Sequence, residues 1–407
     1  MRALYTVVLR LALPFLVLRL WWRGRREPGY RESMSERFGL YQTDRPERVL
    51  WVHAVSVGEA RAAEPLVRAL TSALPDHRLL ITCTTAAGRE TIKQVYGESA
   101  LNVFLPYDFP EAAQAFLEYF RPRLAVVMET EVWPNLLAQC ARHGVPVMLA
   151  NARLSEKSAQ GYRRWHALAE PAFASLAAVC AQSAADAERL RAAGARSVEV
   201  TGNLKFDVAP DPAQLSAGAA WRKAVNRPVV LLASTREGEE AMLLASRPPD
   251  ARVLVVIVPR HPRRFEEVAA MGDSRRSGQP LPAPHDRVHV GDSMGEMAFY
   301  YAACDVAIIG GSFAPLGGQN LIEALAAGAA VVVGPHMYNF ADATELALQA
   351  GAVLQVSDAA AAMRTALELL ENQNERQRMS EAGRNLCNAH RGATARHLAI
   401  CRRLLKL

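Results

Sequence analysis

Short, nearly uninterrupted apolar runs alternate with longer stretches of helical period along most of the chain. In the first half the runs are VLWVHAV (from Val49), RLLITCT (from Arg78), RLAVVMET (from Arg123), PVMLANA (from Pro146), AAVCAQS (from Ala177) and VEVTGN (from Val198). In the second half they are PVVLLAST (from Pro228), RVLVVIVPR (from Arg252), VHVGD (from Val288), VAIIGG (from Val306), AVVVGP (from Ala330) and AVLQV (from Ala352). Near-continuous apolar runs, most of them without alternation, predict strands of parallel sheets covered on both faces. The helical stretches then serve as the crossovers of two doubly wound α/β domains. The rhythm lapses between Asp207 and Arg227, which reads as an interdomain link, and Gly272 to Asp286 reads as an exposed loop. Leu386 to Leu407 reads as a closing helix with basic residues on its outer side. The predicted divisions are therefore residues 1–26, 27–207, 208–227, 228–385 and 386–407.

The start of the chain follows a different pattern. Ala3 to Trp22, ALYTVVLRLALPFLVLRLWW, would form a helix about 30 Å long, roughly the thickness of a bilayer core. Arg10 and Arg19 interrupt it, nine residues apart and so on opposite faces at about 100° per residue, leaving no clean amphipathic stripe. One arginine at mid-helix costs about 2.5–3.5 kcal/mol in a bilayer, while each Leu, Val or Phe offsets about 0.3–0.6. Trp21 and Trp22 suit a membrane interface. Arg23, Arg25 and Arg26 after them put the rest of the chain in the cytoplasm, and no small-residue cleavage site follows. The segment is read as a membrane anchor, with a buried core helix as the alternative.

Composition adds limits. The 407 residues are half hydrophobic, 22% charged and 7% aromatic, a length suited to two domains of about 150–200 residues. The net charge of +6 is small for that length, and arginines on solvated helix faces account for most of it. It suggests an anionic partner without indicating nucleic acid. The six cysteines (Cys83, Cys140, Cys180, Cys304, Cys387 and Cys401) are scattered. They read as reduced thiols of a cytosolic compartment, with no zinc site.

In doubly wound sheets ligands bind at the carboxyl ends of strands, where the strand order reverses. The usual dinucleotide reading fails, since no two glycines are separated by a single residue; no glycine precedes a lysine, so a Walker A loop is absent too. Several strand-to-helix turns carry more than turn chemistry. WVHAVSVGEARAAEPLVRAL places a single carboxylate, Glu59, where the first strand meets its helix; a helix cap and a proton acceptor fit that position equally by spacing. ETEVWPN offers Glu129, Glu131 and Trp133 to a polyhydroxylated ligand, or else forms a capped helix start with Pro134 in its first turn. GNLKFD carries Lys205. VIVPRHPRRF sets Arg260, His261, Arg263 and Arg264 after a strand, four basic groups able to hold an anion, with Arg260 best placed. After VGDSMGEM comes GGSFAPLGGQNLIEALAAG, a glycine-rich loop entering a helix near Gln319, where free backbone N–H groups would form an anion site. Asn320 and Glu323 there fit a capping box or a ligand contact equally well. No DxD sequence occurs, so nothing points to a metal-chelated diphosphate.

SVGEA, ETEVWPN, GNLKFD, PRHPRRF, MGE and GGSFAPLGGQNLIEA, in that order behind an apolar N-terminal segment, resemble the Kdo transferases of lipopolysaccharide synthesis, Kdo being 3-deoxy-D-manno-oct-2-ulosonic acid. The resemblance runs from the anchor to about Asn339. It implies the GT-B fold, two Rossmann-like domains facing a cleft, and transfer of Kdo from CMP-Kdo to a lipid A precursor at the cytoplasmic face of the inner membrane. It also implies transfer without a metal; a single base activating an acceptor hydroxyl for direct attack predicts inversion at the anomeric carbon, and no cofactor or nucleic-acid partner is expected. Glu59 would be the catalytic base, with Glu131 and Lys205 supporting the transition state. Pro259, Arg260, Met294, Gly295, Glu296, Asn320, Leu321, Ile322 and Glu323 would bind CMP. Gln319 departs from the pattern, where a histidine is expected, which puts in doubt a donor contact by that side chain.

Two other readings stay open on residues alone. A GT-B enzyme with a UDP-sugar donor would share the fold and differ in donor turnover. A membrane-tethered protein that binds anionic lipid would release no CMP.

Overall fold

A computed structural model describes every residue except Arg26, Asp44 and residues 248–251. Arg26, counted above among the basic residues after the anchor, lies outside the described residues. The chain forms two compact units: Met1–Leu204 together with Gly392–Leu407, and Lys205–Arg391.

The first unit holds a seven-stranded, wholly parallel sheet. Its strands are β1 (Val49–His53), β2 (Arg78–Cys83), β3 (Ala100–Phe104), β4 (Leu124–Met128), β5 (Val147–Ala152), β6 (Ala178–Ala181) and β7 (Val198–Val200), in the order β3-β2-β1-β4-β5-β6-β7. Every residue of β1 is buried, and its side chains alternate between the two covered faces. Val49 and Trp51 join one core with Phe116 and Phe120, while Leu50 and Val52 join the other with Leu66 and Met148. Each such side chain contributes about 1.5–3 kcal/mol by leaving water, which is why the run has no polar alternation. β3 was not among the expected runs; Leu101 and Asn102 are only half-buried at this edge strand.

The second unit repeats the plan with β8 (Val229–Thr235), β9 (Leu254–Pro259), β10 (Ser274–Arg275), β11 (Val288–Val290), β12 (Val306–Ile309), β13 (Ala330–Val333) and β14 (Val353–Gln355). The order is β10-β11-β9-β8-β12-β13-β14, again parallel throughout. The two-residue β10 lies inside the stretch expected to be only a loop.

Three expectations about connections are corrected. Residues 208–227 are not a link between the units but part of the second one, where Pro212–Val225 is a helix capped by Asp211 at Ala213 N, 2.8 Å. Trp221 buries it in the second unit's core, and an added Cβ at Gly218 would meet the Phe299 carbonyl oxygen at 2.3 Å. The boundary falls earlier: Leu204 is buried in the first unit's core, whereas Phe206 is buried in the second unit's. The closing segment is not one helix either. It breaks at Gly392, φ 79°, between helices Gln373–His390 and Ala393–Leu405. The last helix belongs to the first unit, where buried His397 accepts a hydrogen bond from the backbone N–H of Asn151 at 3.0 Å.

Candidate active site

In the first sheet the order reverses between β1 and β4, which places the turns after these two strands at the position where doubly wound folds bind ligands. Glu59 stands on the first of those turns. Ser56 caps the helix Val57–Ala62, accepting from Glu59 N at 3.4 Å. The Glu59 carboxylate reaches back, Oε2 accepting from Val55 N at 2.8 Å and Oε1 from Ser56 Oγ at 3.0 Å. This is the capping arrangement that the spacing allowed. Yet Glu59 is 8% exposed, and its surroundings are anionic. Burial first, then the neighbouring Glu129 carboxylate and more weakly Glu131, push its pKa up to about 8 against the opposing pull of Val55 N and Ser56. The helix end does not set this pKa.

The turn after β4 supplies the other acids. Glu129 adopts φ 57°, a left-handed conformation that costs a non-glycine residue energy. Its N–H donates to Ala150 O at 2.8 Å. Burial also raises the pKa of Glu131, whose Oε2 accepts from Trp133 Nε1 at 3.0 Å. Pro134 then opens the helix Pro134–Arg142, and Asp108 caps it by accepting from Asn135 N at 3.1 Å and Leu136 N at 2.7 Å. ETEVWPN therefore starts a capped helix, and the same turn brings Glu129 and Glu131 near Glu59. Gly58 leaves open space in front of this turn, since an added Cβ would meet only Ser56 Oγ, at 3.9 Å.

In the second unit the reversal falls between β8 and β12. Gly310 and Gly311 follow β12, and the loop closes on itself through Gly318 N to Gly311 O at 2.7 Å and Gln319 N to Gly310 O at 3.0 Å. Gly317 and Gly318 take φ of 88° and 77°, and a Cβ at either would come within 2.3 Å of Asn339 or Met337. The buried Glu239 carboxylate holds the near side, accepting from Gly311 N at 2.6 Å, Phe313 N at 3.0 Å and Arg236 N at 2.9 Å. Arg260 follows β9 and donates through Nε to Gln319 Oε1 at 3.2 Å.

Family and structural comparisons bear on this arrangement. Residues 32–208 match the family described as 3-deoxy-D-manno-octulosonic-acid transferase (kdotransferase), and residues 283–386 match glycosyl transferases group 1. A 3-deoxy-D-manno-octulosonic acid transferase of Bordetella pertussis is 48% identical over 421 residues, covering 98% of each chain. The chain belongs to the 3-deoxy-D-manno-octulosonic-acid transferase family. This Kdo transferase is 34% identical to the Haemophilus influenzae 3-deoxy-D-manno-octulosonic acid transferase, over 100% of its own length and 99% of the relative's. A solved putative UDP-N-acetylglucosamine 2-epimerase from Listeria monocytogenes is 14% identical, with a TM-score of 0.50 over 88% of this chain and 96% of that one. That likeness concerns the fold alone, and the shared fold is the two-domain GT-B class.

The residues expected at the site separate into groups. Glu59, Glu129 and Glu131 of the Kdo transferase lie together. Lys205 was expected with them in residues 27–207, but it belongs to the second unit, where Nζ is 3.7 Å from Asp342 Oδ2. The four basic groups after β9 do not act as one. Arg264 is 3% exposed and bound to Glu240 at 2.6 and 3.1 Å and to Glu267 at 2.8 Å. Arg263 is 3.3 Å from Glu237. Burial and nearby arginines hold the His261 pKa below its ordinary value. That leaves Arg260, which lies near Glu323 and pulls against the burial that raises the Glu323 pKa.

Asn320 and Glu323 do form the capping pair, Nδ2 to Oε1 at 2.9 Å, with Ile322 N donating to Asn320 Oδ1 at 3.0 Å. The helix they open, Ile322–Ala327, has only six residues, so its dipole is small and the loop and Arg260 carry more of any anion site. Met294 is exposed and Gly295 has φ 77°. Glu296 is held by Arg276 through two hydrogen bonds of 3.1 Å, which lower its pKa. Sequence reasoning missed Arg276, which sits in the supposed loop, and Glu239, whose EGEE context signals only an acidic helix start.

Proposed function

We propose that this Kdo transferase moves Kdo from CMP-Kdo to a lipid A precursor in lipopolysaccharide synthesis, at the cytoplasmic face of the inner membrane, with inversion and without a metal ion. The acceptor hydroxyl attacks the anomeric carbon of Kdo while the Glu59 carboxylate takes its proton, and the bond from that carbon to the CMP phosphate oxygen breaks. A single displacement, with the hydroxyl attacking the face opposite the departing CMP, inverts the configuration. Glu131 and Lys205 support the charge that develops. Arg260 receives the phosphate, and Pro259, Met294, Gly295, Glu296 and Asn320 to Glu323 hold the nucleotide. CMP leaves with a single phosphate, so a guanidinium and loop N–H groups can stabilise it in place of a metal clamp.

The observation that carries the reading is Glu59: a carboxyl raised toward the operating pH by burial first and then by Glu129 and Glu131, at the topological switch point of the first sheet. The helix Arg2–Arg23, long and apolar enough to cross a membrane, supports the membrane location of an acylated acceptor. Mass spectrometry of the product formed from CMP-Kdo and lipid A precursor in the presence of a chelator tests the proposal, with NMR of the new linkage reporting its configuration. Turnover with UDP-sugars and none with CMP-Kdo would refute the donor; loss of turnover on chelation would refute metal independence.

A further inference from the structure

The helix Arg2–Arg23 is bound to the first unit along one side. Tyr5 lies beside the Asp108 carboxylate, Asn135 Nδ2 donates to Thr6 Oγ1 at 3.0 Å, and Arg10 pairs with Glu111. Thr6 and Asn135 are both buried. Asp108 is the residue that caps the helix Pro134–Arg142, so these contacts tie the N-terminal helix to the end of the ETEVWPN motif.

The opposite side of the helix is apolar and uncovered. Leu4, Val8, Leu11, Phe15, Leu18 and Trp22 are all exposed, Leu11 by 78% and Phe15 by 68%. Spaced four and three residues apart in alternation, they form one stripe about 80° wide along the whole helix, at about 100° per residue. On the same wheel Arg19 lies about 20° past one edge of that stripe and Arg10 about 80° past the other. The two arginines that interrupt the apolar run thus stand on opposite flanks of the stripe, while Thr6 and Leu20 on the far side are buried against protein. The C-terminal end carries more basic and aromatic groups: the Arg25 guanidinium lies 4.3 Å from the Trp21 ring centroid, and Arg31 donates to Trp21 O at 2.8 Å.

We infer that this helix lies flat in the headgroup region of an anionic bilayer, docked on its own domain, and does not cross the membrane. A spanning helix would have to leave the domain, abandon Asn135 and Glu111, and place Arg10 within the hydrocarbon. Lying flat keeps these contacts, sinks the stripe into the acyl boundary and leaves Arg10 and Arg19 at headgroup level on either flank. Trp21 and Trp22 fit the interface at the end of the stripe. The carboxylate turn after β4 is thereby held close to the membrane surface. The inference rests on the membrane association proposed above and specifies its geometry.

Two measurements on the full chain separate the two levels. Flotation with phosphatidylglycerol-containing vesicles reads association: wild type floats, and Leu11→Glu/Phe15→Glu reduces the bound fraction at least tenfold with unchanged circular dichroism. Wild type that stays with the soluble fraction would refute membrane association itself. Oxidative cross-linking of Arg10→Cys/Glu111→Cys reads the geometry, since the native cysteines are buried apart from half-buried Cys304. A disulfide-linked peptide joining the two substituted positions is expected from both the detergent-solubilised and the membrane-bound protein. Membrane-bound protein without that link overturns the flat geometry, as does labelling of Arg2→Cys by an impermeant maleimide outside intact spheroplasts.

Discussion

The Glu59 carboxylate accepts a hydrogen bond from the Val55 backbone N–H at 2.8 Å while the Glu129 carboxylate raises its pKa from across the β1–β4 boundary. The cap favours the ionised form, and burial and the neighbouring acid favour the protonated one. Burial and charge win, giving a value of about 8.

Transfer should therefore rise with pH through a midpoint near 8, as Glu59 loses its proton in the folded protein. Glu129→Gln removes the like charge and should move that midpoint downward. Stability runs the other way: a carboxyl whose pKa is raised on folding stabilises the protein fully below the ordinary carboxylate range, and that contribution disappears as pH rises toward 8. A pH–rate profile of the two proteins checks this, and a midpoint unmoved by Glu129→Gln would contradict the coupling.

Gly58→Ala should separate folding from function. The position is helical and a Cβ there meets nothing closer than 3.9 Å. Alanine should thus leave melting temperature unchanged or raise stability by about 0.5–1 kcal/mol. If an acceptor sugar approaches this turn, the methyl group should raise the KM for lipid acceptor with little change in CMP affinity. An unchanged acceptor KM would place the sugar elsewhere.

Arg260→Ala should weaken CMP binding by about 1.5–3 kcal/mol, the range for hydrogen bonds to charged groups. Arg260 Nε also donates to Gln319 Oε1 at 3.2 Å, a bond that the substitution removes as well. Calorimetry with CMP reads the effect, and unchanged affinity would remove Arg260 from the donor site.

Arg264→Ala should behave differently from its neighbour. It would leave Glu240, 0% exposed, without its partner, a loss of about 3–5 kcal/mol. A melting temperature that falls sharply, with CMP affinity retained by the folded fraction, would mark Arg264 as structural.

Much of this was legible in the sequence. Twelve of the fourteen strands among the described residues announce themselves, most of them because parallel strands covered on both faces are apolar at nearly every position. β3 and β10 do not, since Asn102 interrupts the first at an exposed edge and the second has two residues. The helix Pro212–Val225 carried its signals, Asp211 as cap and Pro212 in the first turn, beneath a small-residue composition that reads as linker. Within the site, the position of Glu59 was readable and its pKa was not. That value depends on strand order, which brings the turn after β4 beside the turn after β1. Arg264 likewise resembles Arg260 and Arg263 in sequence, and only the burial of Glu240 distinguishes it.

The most direct test is the rate of Kdo transfer by Glu59→Gln, measured by mass spectrometry at saturating CMP-Kdo. Glutamine keeps the shape and can still accept from Val55 N, but it cannot take the acceptor's proton. Turnover should fall by about 10²–10⁴, the usual contribution of a general base, with melting temperature and CMP affinity nearly unchanged. Transfer at close to the wild-type rate would contradict the account and leave Glu59 as a helix cap.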